Sequence, residues 1–115
     1  MALVDVPVVA IDQESNFTFV NKAFEAEYGW SSKYLLGMPV FVIMPVHMQG
    51  AHTVGFSRYL ATEKSDLLGK PLPLQVTYKD GHSEVANHYI LSTKQPDGRW
   101  LFAAIIDYPE KNVKV

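Results

Sequence analysis

The stretch MPVHMQGAHTVGFSRYLATEKSDLLG, residues 44–69, decides the fold, because it predicts the longest helix of the chain. Between Met48 and Thr62 its apolar residues recur at intervals of three and four, which is typical of a helix with one buried face. That stripe consists of Met48, Ala51 with His52, Gly55 with Phe56, and Tyr59. Gly50 and Gly55 each weaken a helix by about 1 kcal/mol relative to alanine, so we expect a neighbouring backbone or a ligand to approach them closely. A bound small molecule is expected against the inner face of this helix.

Five other segments carry the β-branched and aromatic residues, or the alternation, that predict strands. They are residues 8–12, 17–20, 71–78, 82–94 and 99–107. In the third segment one face carries Leu72, Leu74, Val76 and Tyr78. Asp80-Gly81 and the run 95–98 predict the turns between the last three strands, because these residues readily take turn conformations. The last strand is the most apolar, so it is predicted to lie centrally in the sheet.

Three shorter helical segments are predicted before the long helix. They are residues 22–28, residues 32–36 and one buried turn at residues 40–44. Asn21 and Ser31 can cap the first two by accepting hydrogen bonds from free backbone N–H groups, and Gly29 and Gly37 end them. The order of elements predicts an α+β domain, with a five-stranded antiparallel sheet and with short helices and one longer helix covering one face. A pocket is expected between the sheet and the long helix.

The composition indicates one globular domain over residues 1–115. Hydrophobic residues make up 48% of the chain and charged residues 19%, which is too apolar for disorder. Residues 1–7 are interpreted as an N-terminal extension, and residues 110–115 as the start of a linker to an effector domain. The start has no basic region and no apolar run reaches the ~20 residues of a membrane span, so we expect a cytoplasmic domain without a membrane segment.

The composition also excludes several kinds of chemistry. The chain has no cysteine, which excludes disulfides, thiolate metal sites, a covalent flavin–cysteinyl adduct and a thioester-linked chromophore. A net charge of −2 without a cluster of basic residues argues against nucleic acid as a partner. No nucleophile–base set or glycine-rich phosphate loop is evident, and Glu25 with Glu27 is interpreted as a solvated pair pointing to different sides. We therefore expect a regulatory domain and not an enzyme.

Several segments resemble landmarks of the PAS domain family, and together they cover nearly the whole chain. The landmarks are Val8-Val9-Ala10-Ile11-Asp12, Phe19-Val20-Asn21-Lys22-Ala23-Phe24, Tyr28-Gly29-Trp30-Ser31, Leu35-Leu36-Gly37-Met38-Pro39, Met44-Pro45, Tyr78-Lys79-Asp80-Gly81 and Asp107-Tyr108-Pro109-Glu110. The last is similar to the family's Asp-Ile-Thr-Glu signal-exit motif, with Pro109 in place of threonine, which implies that a signal leaves at Asp107.

This resemblance implies a sensory and dimerisation module of a bacterial signal-transduction protein. The parent would be a histidine kinase of a two-component system or a cyclic-nucleotide enzyme, with its effector domain C-terminal to this chain. The open face of the sheet, with its alternating apolar residues and Trp100, is a natural homodimer surface, and residues 1–6 are expected to lie across it.

Within the family the chain is most similar to the haem-binding PAS domains of bacterial oxygen-sensing kinases. The matching residues are Met44-Pro45, His52, Ser57-Arg58-Tyr59 and Asp80-Gly81. This likeness implies that His52 is the axial iron ligand and that Arg58 reaches a haem propionate. A neutral imidazole on an apolar face can bind iron. Two positions depart from the oxygen sensors: Leu72 replaces the arginine that donates to bound oxygen, and His88 replaces an apolar residue.

Three hypotheses stay open from the sequence: a sensor of a small ligand or partner, a haem-based gas or redox sensor, and a ligand-free protein–protein interaction domain. The expected pocket is lined by Tyr28, Ile43, Met48, His52, Phe56, Leu68, Leu72, Leu74, His88, Ile90, Phe102 and Ala104. In the third hypothesis large side chains fill this space and leave no room for a ligand. Any metal would be haem iron, and His47 and His82 are expected to be solvated.

Overall fold

A five-stranded antiparallel sheet forms one layer of the fold, as the sequence predicts. The structure is a computed structural model, and it describes residues 6–63 and 70–107. The strands are β1 (Val8–Asp12), β2 (Phe17–Val20), β3 (Leu72–Thr77), β4 (Ser83–Lys94) and β5 (Trp100–Asp107). Their order in the sheet is β2-β1-β5-β4-β3, so the apolar last strand lies centrally, as predicted.

Helices form the second layer, on one face of this sheet. They are α1 (Lys22–Tyr28), α2 (Ser32–Leu35), a 3₁₀ turn at Val40–Ile43, and α3 (Val46–Thr62). The predicted caps are confirmed: Asn21 Oδ1 accepts from the Phe24 N–H at 3.0 Å, and Ser31 Oγ accepts from the Tyr34 N–H at 3.1 Å. None of the helices among residues 6–63 and 70–107 is long and apolar enough to cross a membrane.

Helix α3 begins two residues before the predicted start, directly after Pro45. Its first residue, Val46, is 82% exposed and His47 is exposed as well, so these two residues contribute nothing to the apolar stripe from which the start was predicted. The stripe is also narrower than predicted, because Ala51 and Gly55 are exposed while His52 and Phe56 face inward. A Cβ at Gly50 or Gly55 would meet no atom of the described residues within 4 Å, so the expected approach of a neighbouring backbone is wrong there, while the approach of a ligand stays a prediction.

Alternation along each strand places one row of side chains against the helices. Phe24 and Tyr28 of α1 are fully buried there, with their rings 4.6 Å apart, and the Tyr78 ring lies 4.6 Å from Tyr28 on the other side. Trp100 lies in the same inner row, with its ring centroid 6.2 Å from that of Phe102. The assignment of Trp100 to the open face is therefore wrong, because its neighbour in the row is a core residue.

Candidate functional site

Aromatic rings fill the space between α3 and the sheet in the described part of the chain. The Phe102 ring of β5 lies 4.7 Å from Phe56 and 5.5 Å from Tyr59, both on α3. Tyr59 also meets Trp100 edge to face at 5.2 Å, and its hydroxyl is 2.8 Å from Ser92 Oγ of β4. This half of α3 is thus packed directly onto β4 and β5.

His52 continues this row of rings on α3. Its imidazole stacks on Phe56 at 5.4 Å with 17° between the planes, and it meets Phe41 edge to face at 5.9 Å. Burial between these rings lowers the pKa of His52, so the imidazole is neutral near pH 7. His52 packs as an aromatic side chain while keeping one nitrogen that can accept a hydrogen bond.

His52 borders a cleft of about 230 Å³ between α3 and the turn that joins β1 to β2. The cleft is lined by Glu14, Ser15, Pro39, Phe41, His52, Thr53, Phe56 and Ser57. Pockets for drug-sized ligands have volumes of about 300–1,000 Å³, so this cleft suits only a smaller molecule. Its lining contains no residue of β3, β4 or β5, which separates it from the sheet wall of the predicted pocket.

The residues predicted to line one pocket are divided among three places. His52 and Phe56 border the cleft, whereas Tyr28, Ile43 and Phe102 are core residues. The inner rows of β3, β4 and β5 carry Leu72, Leu74, His88, Ile90 and Ala104, in which Leu72 pairs with His88 and Ile90 pairs with Ala104. Met48 is half-buried on α3, and Leu68 lies outside the described residues.

His88 faces the helices and is only 7% exposed. The sheet register places it between Leu72 and Ile106, which are both on the inner face. Its Nδ1 lies 3.0 Å from the Ala86 carbonyl, and because a carbonyl can only accept, Nδ1 carries the hydrogen and Nε2 is the accepting nitrogen. Burial lowers the pKa of His88, while the bond to Ala86 opposes that shift. This register places His88 on the inner face, which is the side predicted to carry the pocket residues.

The described residues do not fit a haem beside His52. A porphyrin would need the space that Phe56, Tyr59 and Phe102 occupy, and the cleft on the other side is too small for it. Arg58 is exposed on α3 and is not among the residues that line the cleft. Within residues 6–63 and 70–107 no group of three or more histidine and acidic side chains is placed to hold a metal ion.

Glu25 and Glu27 are not the solvated pair that the sequence indicates. The Glu25 carboxylate accepts a hydrogen bond from the Ser32 N–H at the start of α2, and this bond lowers the pKa of Glu25. Glu27 Oε2 accepts from the Tyr78 hydroxyl at 2.7 Å. Their spacing correctly predicts different directions, but each direction leads to a protein partner, because Ser32 lies beside Glu25 and Tyr78 lies beside Glu27.

The outer face of the sheet carries a continuous apolar row. Cross-strand pairing joins Phe19, Ala10, Ala103 and Leu91 across β2, β1, β5 and β4. Phe19 is 50% exposed and Leu91 is 51% exposed, although both are large apolar residues. Val8, Leu101 and Ile105 extend this surface on the neighbouring rows. We call these seven residues the outer patch.

No family model matches the sequence. Among proteins of known sequence, it is 28% identical over 100 residues to an uncharacterized protein of Azorhizobium caulinodans, which covers 86% of this chain. The chain spans 14% of the length of that relative.

Solved structures reveal the fold. A PAS domain from Desulfitobacterium hafniense superposes with a TM-score of 0.71 at 23% identity, over 90% of this chain and 92% of that one. The chain has a PAS fold. A domain of a sensory box sensor histidine kinase/response regulator from Geobacter sulfurreducens is also similar, with a TM-score of 0.60 at 20% identity over 86% of this chain and 81% of that one.

In this PAS fold, Asp107 is the last residue of β5 and the last that the structure describes. It pairs with Asn87 of β4, next to the pair of His88 with Ile106. Asp107, the predicted exit residue, therefore directly follows Ile106, which is fully buried in the central strand. The remainder of the motif, residues 108–110, and residues 1–5 of the N-terminal segment lie outside the described residues.

Proposed function

We propose that this chain is a sensory and dimerisation module of a larger signalling protein, and that it receives its input through contacts with protein. The observation that carries the proposal is the outer patch, an exposed apolar row on the sheet of a PAS fold. An exposed apolar row of this length is typical of an interaction surface. The role that we propose for this module is regulatory.

The proposed occupant of the outer patch is a second copy of this chain. The row Phe19, Ala10, Ala103 and Leu91 carries no charged side chain, so two copies can bring the same surface together around a twofold axis. The two alanines lie between the larger Phe19 and Leu91, so we expect the large side chains of one copy to pack over the alanines of the other.

The packing on the other side of the sheet favours a protein signal over a large ligand. In the described part of the chain, the rings of Phe56, Tyr59 and Phe102 occupy the space between this part of α3 and β5, which leaves no room for a cofactor among them. This arrangement supports the interaction-domain hypothesis more than the haem hypothesis. A small ligand in the cleft beside His52 is compatible with the same proposal.

The proposed parent is a multidomain signalling protein, with a histidine kinase as the first candidate. The chain matches only 14% of its Azorhizobium relative, which supports a role as one module in a long chain. The Geobacter structure of similar fold is described as part of a sensor histidine kinase. The PAS fold ends its central strand at Asp107, so a change of sheet packing would reach an effector joined after that residue.

The test is the oligomeric state of Leu91→Glu, measured by sedimentation equilibrium beside the unmodified chain. We expect the unmodified chain to form a dimer and the variant to be a monomer, because a carboxylate would be buried unpaired at the interface. Val54→Glu is the matched control, since Val54 is 60% exposed on α3, away from the sheet. A monomeric unmodified chain, or equal dissociation of both variants, would contradict the proposal.

A further inference from the structure

The cleft beside His52 has an aromatic inner part and a polar rim. His52 and Phe56 are four positions apart on α3, and so are Thr53 and Ser57, which places two neighbouring pairs along the side of the helix that borders the cleft. The His52 ring stacks on Phe56 at 5.4 Å and meets the Phe41 ring at 5.9 Å. Thr53 and Ser57 are exposed, so their hydroxyls form the rim. One molecule in the cleft can therefore contact aromatic rings and hydroxyls together.

The wall opposite α3 is the turn between β1 and β2, and hydrogen bonds hold this turn in place. The Asp12 carboxylate accepts from the backbone N–H groups of Glu14 and Asn16, both at 3.0 Å. The Ser15 N–H donates to the Asp12 carbonyl at 2.9 Å, and the Ser15 carbonyl accepts from the Val40 N–H at 2.8 Å. The last bond joins the turn to the first residue of the 3₁₀ turn. This wall is thus formed before any molecule binds, as is usual for small-molecule sites.

His52 brings an unpaired polar group into these aromatic surroundings. Burial lowers the pKa of His52, so near pH 7 the neutral imidazole has one N–H and one accepting nitrogen. Within residues 6–63 and 70–107, neither nitrogen makes a hydrogen bond to another side chain or to the backbone. A half-buried polar group without a partner is costly. A molecule that fills the cleft and bonds to this imidazole is therefore favoured over a purely apolar one.

The hydroxyls of the rim differ in what they can offer. Thr53 Oγ1 donates to the Gln49 carbonyl at 3.1 Å, so it can only accept a further hydrogen bond. The Ser57 hydroxyl makes no hydrogen bond to another of the described residues, so it can donate or accept. Together with the imidazole, the cleft thus offers both donors and acceptors. A hydroxyl or N–H group on the bound molecule matches this set.

The charges along the cleft are balanced. Of the eight described residues that line it, Glu14 alone is charged, and its carboxylate is ion-paired with Arg99. Both side chains of that pair are about half exposed. An ionised molecule would lose part of its hydration in the cleft without meeting an unpaired opposite charge in the lining. The lining therefore favours an uncharged molecule.

We propose that this cleft is a binding site for a small uncharged aromatic molecule that carries a hydroxyl or N–H group. Its volume of about 230 Å³ suits a single ring system. The ring packs against Phe41 and Phe56, and the polar group bonds to His52 and Ser57. The cleft shares no residue with the outer patch or with the inner rows of β3, β4 and β5. The proposal therefore goes beyond the dimer interface and does not depend on it.

The test uses phenol as the probe and toluene as the molecule of matching shape without a hydroxyl. Each is titrated into the nitrogen-labelled chain at about pH 7.5, where His52 is neutral, and amide shifts give the Kd. We expect phenol to bind about fivefold more tightly than toluene, as one hydrogen bond predicts. Benzoate, a ring with a charge, is expected to bind more weakly than phenol. Shifts that do not saturate with phenol, or no preference over toluene or benzoate, would overturn the proposal.

Intermolecular NOEs on the unmodified chain locate the bound probe. We expect them between the phenol ring protons and the rings of Phe41 and Phe56. NOEs to Ile90 or Ala104 in their place would put the molecule on the inner rows of the sheet and would contradict the proposed site.

Substitution of His52 by phenylalanine keeps an aromatic ring in the stack and removes both nitrogens. We expect His52→Phe to bind toluene as the unmodified chain does and to lose the preference for phenol. His47→Phe is the matched control, because His47 is exposed on α3 and does not line the cleft, and it should keep that preference. Ser57→Ala, at an exposed position, should weaken phenol binding and leave toluene binding unchanged. A preference that persists in both His52→Phe and Ser57→Ala, or that is lost in His47→Phe, would show that the cleft is not the site.

Discussion

Asn21 shows how much one side chain can determine in this fold. Its Oδ1 accepts from the N–H groups of both Phe24 and Val8, and its Nδ2 donates to the Val6 carbonyl at 2.8 Å. The cap on α1 is predictable from the residue type and its position before a helix. The two bonds to the start of β1 could not be predicted from the residue type. They form because the β1–β2 hairpin brings the start of β1 beside Asn21.

Replacing Asn21 by alanine should destabilise the chain more than replacing Ser31. Ser31→Ala removes one cap bond, to the Tyr34 N–H, and should lower the free energy of unfolding by about 1 kcal/mol. Asn21→Ala also leaves the Val8 N–H and the Val6 carbonyl without this partner, so we expect a loss of about 2–3 kcal/mol. Urea unfolding of the two variants measures both values, and equal losses would show that the strand bonds contribute nothing.

Helix α3 illustrates what a periodic pattern predicts and what it leaves open. The pattern correctly places His52, Phe56 and Tyr59 on the inner side, because 3.6-residue periodicity depends only on local geometry. It does not predict that Phe56 and Tyr59 close onto Phe102, since that contact depends on how deeply the helix lies over a strand some forty residues later. The sequence pattern also does not predict that the residues of the expected pocket are distributed among the cleft, the core and the inner rows of the strands.

The glycines of α3 and of the α1 end should respond oppositely to alanine. At Gly50 and Gly55 an added Cβ meets nothing within 4 Å, so each substitution should stabilise the chain by about 0.5–1 kcal/mol. At Gly29, φ is +85° and a Cβ would lie 3.1 Å from Lys79 Cβ, so alanine there should be destabilising. Thermal unfolding of the three variants measures the sign. Destabilisation by Gly50→Ala or Gly55→Ala would indicate a close partner on that surface.

At the scale of the whole molecule, the two faces of the sheet have different roles. The inner face is covered by the helices and their aromatic side chains. The outer patch is not covered by any of the described residues. The five antiparallel strands, the central place of the last strand and the single helical layer could be predicted from alternation, apolarity, turns and caps, which are local signals. Whether the layer encloses a cavity is decided by side-chain volumes summed across elements, and such a sum is not visible in a linear pattern.

We expect haemin added to the purified chain to give no Soret band that depends on His52. The imidazole is held between Phe56 and Phe41, and the adjacent cleft of about 230 Å³ cannot hold a porphyrin. Absorbance titration of the unmodified chain beside His52→Ala measures this. A sharp band in the unmodified chain that disappears in the variant would contradict the expectation and would require the Phe56–Phe102 contact to open.

The central position of β5 also has a consequence for how the chain is made. The β1–β2 hairpin and the β3–β4 hairpin do not pair with each other, and each is joined to the sheet only through β5. During synthesis the two hairpins therefore cannot join into one sheet until the final strand has left the ribosome. Because that closing pairing joins β1 to a strand about ninety residues later, it adds long-range contacts of the kind that slow folding.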